Sequence, residues 1–165
     1  MKLAETSYDN SETGCCARLD PATWDGKEFR WEDKPVLQDQ VRSFLNIPLN
    51  FGSVMKRTNE AIESAAAYTD DPICLTEHAS PWRSNVLLTV DRDVPGASID
   101  ELSGTFLTRV FEGPYRLAGK WQAEMKEYAK SMGHEVERIY FYYSACPKCA
   151  RRFGKNYVVL FAKVR

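Results

Sequence analysis

Apolar residues recur along this chain with two alternating periods, one suited to strands and one to helices. Ser43 to Leu49 carries Phe44, Leu45, Ile47 and Leu49, and Pro48 marks the stretch as an edge strand. Gly52-Ser53 opens a helix with Ser53 as its N-cap, and Val54, Thr58, Ile62 and Ala65 follow on one face. Asp70-Asp71-Pro72 ends it. Ile73 to Glu77 reads as a strand, Ala79-Ser80-Pro81 as a turn, and Asn85 to Asp91 as a buried strand built on Val86, Leu87, Leu88 and Val90. Asp93 to Gly104, with Pro95 and Gly96, reads as a connecting loop.

The order then recurs. Thr105 to Phe111 is a strand, and Gly113-Pro114 opens a helix, because proline fits a first turn where its missing N–H costs nothing. Leu117, Trp121, Met125, Tyr128 and Met132 make one stripe along that helix, and Gly133 suits its C-terminus. Arg138 to Ser144 is an aromatic strand, a Cys-Pro-Lys-Cys loop follows, and Tyr157 to Val164 is the last strand. Superposing Gly52 on Gly113 lays strand on strand and helix on helix. This predicts an α+β fold of duplicated β-α-β-β modules, about 42–92 and 104–165, related by a pseudo-twofold axis with a central cleft. Clefts between modules are favoured ligand sites. Residues 1–40 stand outside the repeat. Thr6 to Gly14 is a polar loop, Glu28 to Trp31 a short strand, and Trp24, Phe29 and Trp31 imply that this N-terminal extension packs on the 41–165 core.

Composition narrows the partners. With 22 Lys plus Arg against 23 Asp plus Glu, the formal net charge is −1, which argues against nucleic acid as the main partner. No apolar run approaches the roughly 18 residues of a membrane helix, and the start lacks the apolar core of a secretory signal. The expectation is a protein without a membrane partner. Five cysteines without such a signal point to a reducing cytoplasm.

Glu112 ends a strand just before Gly113-Pro114. Beside aromatics, its carboxyl would serve as a general acid or base or pair with a cationic ligand; in the open it would interact only with the helix start. Its counterpart under the repeat is Phe51. Tyr115, Trp121, Tyr140 and Tyr142 are the candidate lining of an aromatic pocket, and the alternative for each is plain core. Tyr140 and Tyr142 share one strand face, and Phe141 and Tyr143 the other. Cys146 and Cys149 have the spacing of a metal knuckle, with Cys15 and Cys16 as the other half of a structural zinc site and His134 as a further ligand. The competing account is unmetallated thiols. The basic tip at Lys148, Arg151, Arg152 and Lys155 reads as a solvated loop.

From Gly104 to Val164 the chain resembles the GyrI-like superfamily, the small-molecule-binding fold also used as an effector-binding domain. The likeness rests on the strand Phe106 to Phe111, on Gly113-Pro114-Tyr115, on Trp121 in the next helix, and on the strand around Tyr140. Many members place a buried Glu two residues before the strand Tyr, where this chain has Arg138. The resemblance implies a stand-alone protein that binds a small lipophilic or aromatic molecule in the cleft, for sequestration or detoxification. It also implies an alternative, a hydrolase acting on strained cyclopropane-bearing electrophiles with a cleft Glu. A zinc-stabilised interaction module is the third expectation, and it rests on the cysteines.

Overall fold

The computed structural model describes residues 19–45, 47–69, 73–143 and 154–165. The chain is mixed α+β, mostly antiparallel sheet with few helices. It divides into two compact units, one over Met1–Trp31 and Gly104–Arg165 and the other over Glu32–Ser103. Two long strands, β1 (Lys27–Phe44) and β5 (Ser98–Glu112), run through the unit boundaries.

The Glu32–Ser103 unit holds most of β1, then β2 (Ile47–Pro48), α2 (Phe51–Ser64), β3 (Cys74–Ser80) and β4 (Arg83–Thr89). The short helix α1 precedes it at Pro21–Trp24. β4 pairs antiparallel with β1 from Val36↔Thr89 to Arg42↔Arg83, and with β3 from Cys74↔Leu88 to Ser80↔Arg83. Alternation gives Leu37 and Val41 of β1 the same face as Val86 and Leu88 of β4. That face packs on Val54 and Ile62 of α2, with Ala67, Val90 and Val94 completing the cluster. Each such side chain contributes about 1.5–3 kcal/mol by leaving water. The predicted stripe of α2 is therefore present, with Val54, Thr58 and Ile62 buried. Its cap is not Ser53 but Asn50, whose side chain makes no cap bond and instead accepts from the Arg42 N–H at 2.7 Å. Cys74 packs at the edge of this core, and burial pushes its thiol up to about 12. Such a thiol is a weak nucleophile.

In the other unit the second part of β5 is followed by a 3-10 turn at Tyr115–Leu117, then α3 (Ala118–Ser131), β6 (Val136–Tyr143) and β7 (Tyr157–Val164). β7 is the inner strand, antiparallel to β5 from Thr105↔Val164 to Glu112↔Tyr157 and to β6 from Val136↔Val164 to Tyr143↔Val158. It is covered on both faces, so Val158 to Ala162 reads as an unbroken apolar run. One face carries α3: Trp121, Met125 and Ala129 pack on Leu107, Phe141, Val158, Leu160, Ala162 and Val164. The other face is aromatic. Phe161 lies 5.8 Å from Trp24, 5.7 Å from Phe29 and 6.1 Å from Trp31, ring centre to ring centre. Phe106 stacks on Phe29 at 5.5 Å and meets Tyr140 at 6.4 Å.

The segment before β1 is fastened by polar contacts as well. Asp20 caps α1 by accepting from the Ala22 N–H, and Pro21 takes the position where a missing N–H costs nothing. The Gly26 N–H donates to the Thr108 carbonyl, the Thr108 hydroxyl donates to the Trp24 carbonyl, and Asp25 Oδ1 accepts from Arg109 Nε and the Val110 N–H.

Besides the cap of α2, the structure differs from the sequence reading in the bounds of several elements: the expected strand Ser43 to Leu49 is instead the end of β1, a turn at Leu45 and the short β2. The expected boundary at residue 40 falls inside β1, and residues 27–40 are sheet rather than extension. The strand hid because Asp33 takes a positive φ of 48° and Pro35 follows, which breaks its alternation into two short pieces. The connecting loop ends at Ala97, since Ser98 to Ser103 already belongs to β5. Its Asp100 and Glu101 point outward while Leu102 is buried. The helix after Gly113-Pro114 begins with a 3-10 turn, so α3 proper starts at Ala118. The strand–helix–strand–strand order itself does occur twice.

Candidate functional site

The candidate site is built at the end of β5, where the chain turns into α3. Glu112 is the last residue of that strand, exposed and opposite Tyr157. Gly113 follows with φ +139°, a conformation that side chains rarely adopt. A Cβ there would stand 3.2 Å from the Leu117 side chain and 3.7 Å from the Trp121 ring. Gly113→Ala should therefore cost about 1–3 kcal/mol through backbone strain and displacement of Leu117. Thermal unfolding checks it, and an unchanged midpoint would show that the turn relaxes freely.

Asn156 clamps this turn. Its Nδ2 donates to the Gly113 carbonyl at 2.8 Å, its own carbonyl accepts from the Gly113 N–H at 3.1 Å, and its Oδ1 accepts from the Tyr115 hydroxyl at 3.4 Å. Tyr115 is thereby held edge-on against Tyr143, with ring centres 5.3 Å apart and planes at 88°. Tyr143 in turn stacks on Phe141 at 5.8 Å, and Phe111 stacks on Trp121 at the same separation. Burial first, and the neighbouring Tyr115 second, hold the Tyr143 hydroxyl well above its ordinary value, so it stays a neutral donor and acceptor.

The predicted residues separate accordingly. Tyr115 keeps 40% of its surface and stands with Glu112 on one clamped turn. Trp121 is fully enclosed by Phe111 and the α3 core, and it touches the site only from below. Tyr140 is likewise enclosed, on the opposite sheet face with Phe106. Tyr142 is partly open, 5.5 Å from Trp24 on that same face. Phe51 belongs to the other unit, exposed as the first residue of α2. Cys15, Cys16, Cys146 and Cys149 lie outside the described residues, as do the polar loop at 6–14 and the basic residues Lys148, Arg151 and Arg152. Among the described residues no group of acids, histidines and cysteines is disposed to hold a metal.

Sequence reasoning missed Asn156, the residue just before β7, whose partners lie 41 and 43 positions away. Nothing in the spacing signals such a contact. It also missed the half-buried acid Glu77, whose Oε1 accepts from Asn85 Nδ2 at 3.2 Å across the β3–β4 pair. Asn85 Oδ1 is buried without a partner among the described residues. Period-2 alternation places Glu77 with Leu75 on the face turned away from α2, and that was the available signal.

A family model described as bacterial hydrolase matches residues 6–164, nearly the whole chain. The chain belongs to this bacterial hydrolase family. Among curated proteins, no relative matches. Solved structures share the fold at low identity. The C-terminal domain of EcmrR matches with a TM-score of 0.64 at 10% identity, over 86% of this chain and 98% of that one. A hydrolase from Listeria innocua matches with a TM-score of 0.61 at 13% identity, over 86% and 92%. SAV2435, solved bound to tetraphenylphosphonium, matches with a TM-score of 0.50 at 9% identity, over 86% and 94%. No helix among the described residues is long and apolar enough to cross a membrane.

Proposed function

We propose that this protein is a GyrI-like binder of a small lipophilic or aromatic molecule, with the Tyr115–Tyr143 pair as the platform and Glu112 at its rim. The observation that carries this reading is the clamp: Asn156 fixes a half-exposed tyrosine edge-on to a second ring, three residues past the exposed Glu112. Aromatic rings already ordered lose little entropy when a flat apolar ligand settles on them, and a nearby acid favours a ligand with a positive charge. That a neighbour in fold was solved with tetraphenylphosphonium, a lipophilic cation, supports the ligand class. The two strand–helix–strand–strand runs are read as a duplication, and the reducing cytoplasm as its location. Zinc at Cys15, Cys16, Cys146 and Cys149 belongs to the same set of proposals; its check is metal content of the purified protein, where none would remove it.

Membership of the bacterial hydrolase family favours a second reading, in which the bound molecule is also opened by water. Glu112 would then take one proton of the water as its oxygen bonds to a ring carbon; the ring C–C bond breaks, and its electron pair passes to the electrophile's conjugated acceptor, which is protonated in turn. One experiment serves both readings. The protein is incubated with tetraphenylphosphonium and with a strained cyclopropane-bearing aromatic electrophile, and both the bound and free fractions are weighed by mass spectrometry. Retention at unchanged mass supports the binder. Release of the electrophile with the mass of one added water supports the hydrolase, and Glu112→Gln should then lower turnover by about a hundredfold or more while leaving retention largely intact. Neither retention nor turnover for any compound of this class would sink the reading.

A further inference from the structure

We propose that one end of the Glu32–Ser103 unit, the β1–β2 hairpin together with the β3–β4 turn, is a docking surface for an anionic lipid membrane. Phe44, Leu45, Leu49 and Trp82 are all exposed there, Leu49 at 68% and Trp82 at 58%. They are gathered by the fold rather than scattered. The Ser43 N–H donates to the Trp82 carbonyl and the Leu49 N–H to the Arg42 carbonyl, both at 2.8 Å, and the Phe44 and Trp82 rings lie 5.6 Å apart. Leu45 stands at the hairpin turn with φ +48°, so the backbone accepts a disfavoured conformation where a large apolar side chain faces water. A contiguous exposed apolar patch of this kind marks a contact site.

Charge selects the occupant. Arg42 and Arg83 are directly opposite across β1 and β4, both exposed, and among the described residues neither guanidinium has a carboxylate partner. Like charges facing each other on adjacent strands cost stability, and a shared phosphate between two guanidinium forks removes the cost. Arg42 and Phe44 share one face of β1, so the cation pair sits just behind the aromatic tip. This is the order a lipid surface requires: phosphates at the arginines, Trp82 and Phe44 at headgroup depth, Leu45 and Leu49 toward the acyl chains. A second copy of the chain fits worse, because a twofold contact on this patch would crowd four guanidinium groups together. A lipid partner is reached by surface contact without spanning.

The test is sedimentation of the full chain with vesicles of phosphatidylcholine alone and of phosphatidylcholine mixed with phosphatidylglycerol. Binding to the mixed vesicles that weakens as salt rises supports the proposal. Tryptophan emission should shift to the blue on binding, and the shift reports Trp82, since Trp24, Trp31 and Trp121 are already buried. Leu45→Ser with Leu49→Ser should weaken binding by about tenfold or more. Arg42→Ser with Arg83→Ser should remove the preference for phosphatidylglycerol. All four positions are exposed, and an unchanged circular dichroism spectrum confirms that the variants fold. No association with the mixed vesicles overturns the proposal. So does full displacement by soluble glycerophosphoglycerol, which makes the arginines a free-anion site, or a dimer that Trp82→Ala dissolves, which gives the patch to a second copy. None of these outcomes depends on the ligand reading of the Tyr115 site.

Discussion

Phe161→Ala is expected to be among the most damaging single substitutions, costing about 3–5 kcal/mol. Phe161 is wholly buried and contacts four aromatic rings, those of Trp24, Phe29, Trp31 and Tyr142. Truncation leaves a cavity bounded by large planar groups that cannot collapse into it, because each is held by a strand or by the Thr108 and Asp25 contacts. Val159 and Ala162 on the same strand offer far less volume to lose. For a chain of this length, the loss corresponds to a melting-point fall of about 6–20 °C. Differential scanning calorimetry decides it. A drop below about 1 kcal/mol would mean that the aromatic face is loosely packed and able to admit a ligand, which would move the pocket to Tyr140 and Tyr142.

Trp121 and Tyr115 should behave oppositely, although sequence alone gives both the same role. Trp121→Ala removes an enclosed indole from between Phe111 and the α3 core, and the expected cost is about 3–5 kcal/mol of stability. Any loss of affinity would follow from the collapsed platform. Tyr115→Ala removes a half-exposed ring, so stability should change by no more than about 1 kcal/mol while affinity for tetraphenylphosphonium falls by about tenfold. Paired urea titration and calorimetric binding separate the two effects. Unaltered affinity in a folded Tyr115→Ala protein would reject the platform.

The difference between these tyrosines and tryptophans shows what was legible. Helical periodicity found Trp121 and Met125 and the end at Gly133, because a helix buries one face; farther along the stripe Met132 stands exposed and Ala129 takes the buried place. Alternation separated Tyr140 and Tyr142 from Phe141 and Tyr143, and the structure keeps them apart. What alternation does not contain is the identity of the covering layer. Trp24, Phe29 and Trp31 fill the Tyr140 face, and they are distant in sequence from the rings of β5, β6 and β7 that they cover. The clamp by Asn156 was invisible for the same reason: a single amide at the start of a strand has no periodic signature, and its three bonds arise only when β5 and β7 pair. Exposed Glu112 was readable as an acid beside a helix start. Its nearness to Tyr115 along the chain was readable too, whereas the strained conformation of the glycine between them was not.

The unit made of Met1–Trp31 and Gly104–Arg165 is assembled from the two ends of the described chain, with the Glu32–Ser103 unit inserted between them. During synthesis Trp24, Phe29 and Trp31 leave the ribosome first, yet Phe106, Tyr140 and Phe161, which they pack against, come much later. At roughly 5–20 residues per second, three large aromatics wait on the order of ten seconds for their partners. The inserted unit has its own core of Leu37, Val54, Ile62 and Val86 and can close during that interval. A growing chain that is half folded and still presents an unsatisfied aromatic segment is a natural client for chaperones. Slower translation through the last third would lengthen that window and lower the yield of native protein, while faster translation would shorten it.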